Sequence, residues 1–115
     1  MAYSEELADW LRFAFDTLPP TENGKRLIQN LLDNPGGTCA ALSEQHGWAP
    51  NVWDMQMGKL ISRHIKAVGA PPALSGLSGL GLLTVYEHGP DGKLRYTMRP
   101  EAVTAFSSLG FHEKS

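Results

Sequence analysis

Punctuation limits what this chain can become. Five breaks cut 115 residues into short segments: Pro19-Pro20, Asn34-Pro35-Gly36-Gly37, Gly47-Trp48-Ala49-Pro50, the Gly- and Pro-rich run from Ala70 to Gly81, and His88-Gly89-Pro90-Asp91-Gly92. Proline removes an amide donor and fixes φ, and clustered glycine disfavours regular structure, so no helix or strand is expected to cross these points. Each segment before the last therefore holds one helix or one strand, and Pro100 divides the last. The longest uncharged stretches, Asn34 to Ser43 and Ala67 to Tyr86, are themselves broken by Gly, Pro or Ser and never reach the roughly 18 to 20 consecutive apolar residues of a membrane span.

Between the breaks, periodicity assigns the elements. Ser4 caps a first helix whose Glu5 and Glu6 suit the positive end of its dipole, with Leu7, Trp10, Leu11, Ala14 and Leu18 at helical spacing. Thr21 caps a second, striped by Leu27, Ile28, Leu31 and Leu32. Thr38 caps a short third helix that Gly47 terminates, and a longer fourth runs from about Asn51 to Val68, closed by Gly69. On that helix Trp53, Met57, Leu60, Ile61, His64, Ile65 and Val68 form the apolar side, while Met55, Lys59, Ser62 and Lys66 fall on another. Residues 70–81 read as a loop. Leu82 to Glu87 and Lys93 to Met98 alternate as the strands of a hairpin. One expected face carries Leu83, Val85, Leu94, Tyr96 and Met98; the other carries Thr84, Tyr86, Lys93, Arg95 and Thr97. Pro100 to Leu109 reads as a last helix.

This length and a 42% hydrophobic composition suit one α+β domain: an N-terminal helix over 1–20, a helical core and loop over 21–81, a hairpin over 82–98, and a terminal helix and tail over 99–115. Charge is segregated along it. Residues 1 to 54 carry three basic side chains against eight acidic ones, a balance of −5, whereas residues 55 to 100 carry six against two, a balance of +4. Segregation of this kind builds a basic face if the fold gathers it, and an ordinary solvated surface if it does not.

Catalytic signatures are missing. His46, His64, His88 and His112 are scattered without an i, i+4 pair, Cys39 is the single cysteine and reads as a small packed residue, and neither a Gly-Lys-Ser/Thr phosphate loop nor a Gly-x-Ser-x-Gly elbow occurs. The chain is expected to be no enzyme, to need no cofactor or metal, and, lacking a basic then apolar leader, to work in the cytoplasm.

The run Thr38-Cys39-Ala40-Ala41-Leu42-Ser43-Glu44-Gln45-His46-Gly47, the helix after it, the hairpin, and the exit Tyr96-Thr97-Met98-Arg99-Pro100-Glu101 together resemble the winged helix-turn-helix superfamily of small bacterial and phage regulators. The resemblance covers about residues 21 to 109 and implies a recognition helix over Asn51 to Gly69 and a wing over Leu82 to Met98. Trp48-Ala49-Pro50 in the turn and the long Gly-rich loop depart from the pattern. The implied partner is double-stranded DNA, in a role in transcription regulation. Asn51, Met55, Gln56 and Lys59 are then candidate readers of base edges, Arg63 and Lys66 candidate phosphate contacts, and Lys93 and Arg95 wing contacts. Asp54 opposes them. The alternative is a winged-helix module that binds a protein and no DNA, because fold does not fix function. A homodimer is also expected, through Trp10, Phe13 and Phe15 on the first helix.

Overall fold

A computed structural model describes residues 3–69 and 79–111. Within them the chain forms α1 (Glu5–Thr17), α2 (Glu22–Asp33), β1 (Gly37–Thr38), α3 (Cys39–Glu44), α4 (Trp53–Val68), β2 (Thr84–His88), β3 (Leu94–Met98) and α5 (Pro100–Ser108), with a single 3-10 turn, Gly79–Leu82, before β2. The class is α+β: five helices and one antiparallel sheet in the order β1-β3-β2. Most of the expected loop over 70–81, and the tail after Phe111, lie outside the described residues.

The caps form where the side chains ask for them. Ser4 accepts the Leu7 N–H, Thr21 that of Gly24 and Thr38 that of Ala41, each satisfying an amide with no partner inside its helix. Gly47, in the turn after α3, and Gly69, which caps α4, take φ of +74° and +92°, values that an L side chain resists. α4 starts at Trp53, so Asn51 lies in the turn ahead of it and not on the helix.

α1 lies across α5 and α4. Its buried residues are Leu7, Ala8, Trp10, Leu11, Ala14 and Phe15, and they meet Leu27, Ile28 and Leu31 of α2, Trp53, Met57 and Ile61 of α4, and Ala102 and Phe106 of α5 in one core. The Phe15 ring stacks on His64 at 3.8 Å and meets Phe106 edge-on at 4.8 Å. The buried His64 ring in turn sets its two nitrogens 2.8 Å from the carbonyl oxygens of Leu60 and Leu18, fastening the end of α1 to α4. This corrects the expected dimer surface. Trp10 and Phe15 fill the chain's own core, because Phe15 stands four residues after Leu11 and so on the same stripe. Only Phe13, 56% exposed, remains outward, and one ring is far from the roughly 800 Å² per partner of a stable interface.

The sheet corrects a second expectation. Thr84 pairs with Met98, Val85 with Thr97, Tyr86 with Tyr96 and Glu87 with Arg95. Val85 and Glu87 therefore share the outer face with Arg95 and Thr97, while Thr84 and Tyr86 share a face with Tyr96 and Met98. Leu82 is spent in the 3-10 turn, and this shifts β2 by one residue against the apolar alternation expected for it.

Candidate nucleic-acid interface

α4 is anchored at its start by α3 and β3. Its first residue, Trp53, donates its N–H to the Ser43 hydroxyl at 3.0 Å, and that hydroxyl reaches the Pro50 carbonyl at 3.3 Å, so α3 braces the turn and the start of α4. Trp53 also packs on Tyr96 of β3, with ring centroids 5.0 Å apart. Burial, the Asp54 carboxylate and the neighbouring Cys39 and Tyr86 push the Tyr96 hydroxyl above its ordinary pKa, so it stays neutral.

Outward from this frame stand Met55, Lys59, Ser62, Arg63 and Lys66, all exposed. Among the described residues no carboxylate pairs with Lys59, Arg63 or Lys66. Asp54, at the first turn, is occupied locally: its Oδ1 accepts the Met55 N–H at 2.7 Å. Gln56 is half-buried and lines, with Lys59, Leu60 and Arg63, one wall of a shallow groove of about 130 Å³. The opposite wall is the start of α2, from Thr21 to Leu27.

The hairpin behaves differently. Arg95 Nη2 lies 3.1 Å from Asp91 Oδ2, Glu87 faces it across the strands, and its side chain lies so close over Gly89 that a Cβ there would clash. Asp91 is held ionised, its carboxyl below the usual range chiefly through the hydrogen bond from the Lys93 N–H. Arg95 is thus folded back on its own turn, and Lys93 is the remaining exposed cation of the hairpin. Further along the hairpin, Tyr86 is 61% exposed and Val85 39%. Arg99, counted in sequence with the basic segment, is buried: its Nε lies 3.7 Å from Glu101 Oε1 and its Nη1 donates to the Gly81 carbonyl. Glu101 also accepts the Ser4 N–H at 3.1 Å, joining the start of α1 to α5.

The structure therefore brings Met55, Lys59, Arg63 and Lys66 together, sets Gln56 into a groove wall, leaves Asn51 ahead of the helix and detaches Arg95. It adds Asn23, which the sequence reads, with Gly24 and Lys25, as a helix entry and not as a phosphate site. The available signal was Gly24, a glycine inside the first turn of an amphipathic helix, where a Cβ would meet Pro20 at 3.0 Å and Leu60 at 3.2 Å. That glycine lets α2 approach α4 closely.

His46 packs against Asn30, in the second half of α2. Asn30 Nδ2 lies 3.0 Å from its Nε2, its ring stacks on Trp48 at 4.4 Å, and burial together with the Arg26 charge lowers its pKa below the ordinary 6.5. Among the described residues, no cluster of three or more His, Cys, Asp or Glu could hold a metal ion and no helix is long and apolar enough to cross a membrane. Comparison with protein-family models, with curated proteins and with solved structures returned no match.

Proposed function

We propose that this chain is a winged-helix module that binds duplex DNA through α4, in a regulatory and not a catalytic role. The observation that carries the reading is the row of exposed cations Lys59, Arg63 and Lys66, unpaired among the described residues, on the outward side of a helix braced at its start by α3 and β3. The chain order α2, β1, α3, α4, β2, β3, with β1 and β2 flanking β3, supports the winged-helix part of the reading. A helix so presented fits a major groove, where base edges meet its first half and phosphates its flanks. A second reading has one observation in its favour: around the hairpin the exposed side chains Val85 and Tyr86 and the self-paired Arg95 suit a protein surface better than a phosphate backbone.

Anisotropy of a labelled random duplex between about 50 and 200 mM salt decides between them, because each phosphate neutralised adds about 0.9 to the slope of log K against log salt. The DNA reading expects a slope of about −2 to −3, matching the cations of α4. A flat slope, or no binding at the low-salt end, overturns it and leaves the protein-partner reading.

A further inference from the structure

We infer that Lys59 and Arg63 do not read bases but seat one backbone phosphate in the groove between α4 and α2, so that the α4 surface is divided into a sequence-neutral side and a base-facing side. The inference rests on the DNA reading above and assigns roles within it. Gln56, Lys59, Leu60 and Arg63 recur at i, i+3, i+4 and i+7, which puts them on one wall; the groove of about 130 Å³ lies between them and Thr21, Asn23 and Gly24. Two cations four residues apart on a helix stand about 5 to 6 Å from each other at Cβ, a spacing that lets both reach one phosphate. Neither has a carboxylate partner among the described residues.

The far wall suits the same ligand. Thr21 takes the N–H of Gly24 on its hydroxyl and that of Lys25 on its carbonyl, leaving the Glu22 and Asn23 amides, which have no acceptor within the helix. The nearby Glu22 carboxylate is drawn to Lys25 at 3.5 Å. Apolar Met55, 51% exposed, and Ser62 lie off this wall, on the side left to face base edges, where a thioether suits a thymine methyl better than a phosphate.

Four variants test the division by duplex titration on several unrelated sequences, with folding checked by thermal melts. Arg63→Ala and Asn23→Asp should each weaken binding by a similar factor on every sequence, Arg63→Ala should lower the salt slope by about 0.9, and Met55→Ala should reorder the sequences while leaving the slope unchanged. Asn23→Asp puts a carboxylate into the groove at a helix start that favours it, so the fold should hold. Ser107→Asp on α5 makes the same charge change away from the groove and sets the background. Two outcomes overturn the inference while duplex binding itself stands: Asn23→Asp weakens binding no more than Ser107→Asp, or Arg63→Ala reorders the sequence preference. If the unmodified protein shows no salt-dependent duplex binding, the DNA reading fails and this inference with it.

Discussion

α4 and the hairpin with its exit carry the same number of basic residues, three each, and use them in opposite ways. Lys59, Arg63 and Lys66 are solvated and unpaired among the described residues; Arg95 is tied to Asp91 and Arg99 is buried beside Glu101, leaving Lys93. Charge along a sequence counts ions, but a polyanion meets only those that the fold leaves unneutralised. The difference between the regions is one of local carboxylates. Asp91 and Glu101 stand within four residues of their arginines, whereas the one acid of α4, Asp54, accepts a hydrogen bond from the backbone beside it.

The sharpest break of that comparison is inside the core. Arg99→Ala leaves Glu101 buried without its counter-ion and should cost about 3 to 5 kcal/mol in urea unfolding, whereas the double change Arg99→Met with Glu101→Leu should restore most of it. Equal loss in the double variant would show that the pair's other contacts, to Ser4 and Gly81, matter more than its charges. Next in size, Lys59→Ala with Arg63→Ala should lower duplex affinity by about one order of magnitude and the salt slope by about 0.9, the one phosphate that the pair seats, with stability held within about 0.5 kcal/mol. Lys93→Ala with Arg95→Ala should weaken binding less than about threefold and leave sequence preference alone, since a cation already paired releases few counterions. A larger loss than in the α4 pair would reverse the comparison.

The smallest effect concerns His46, beside Arg26. His46 has its folded pKa depressed, by burial first and the Arg26 charge second, so its contribution is fully present above the unfolded value of about 6.5 and is lost as pH falls through the lower folded value. Stability measured between about pH 7 and 5 should therefore fall slightly, and His46→Gln should flatten that part of the profile. An unchanged profile in the variant would assign the acid sensitivity elsewhere.

Local chemistry was legible in the sequence and long-range pairing was not. Ser4, Thr21 and Thr38 announced three helix starts, because a short hydroxyl before an amphipathic run has one favourable use there. β1 was invisible: two residues carry no alternation, and Thr38 serves both the strand and the cap of α3. The phase of β2 was misread because Leu82 and Leu83 imitate its pattern before the strand begins. At the candidate site, helical spacing brought out the outward row on α4. The carboxylate beside the buried Arg99 is also bonded to Ser4, far away in sequence, and the Asn23 wall rests on how α2 meets α4; no local window contains either.

Ser43 has a consequence for dynamics. α4 lacks a side-chain cap of its own at Val52 and takes one from a hydroxyl ten residues upstream, in another helix. Two helices sharing one terminal hydrogen bond open together: fraying of α3 withdraws the acceptor from the first amide of α4. Their amide protons should accordingly exchange with solvent as a single cooperative unit, and Ser43→Ala should split that unit, so that the two helices exchange at separate rates.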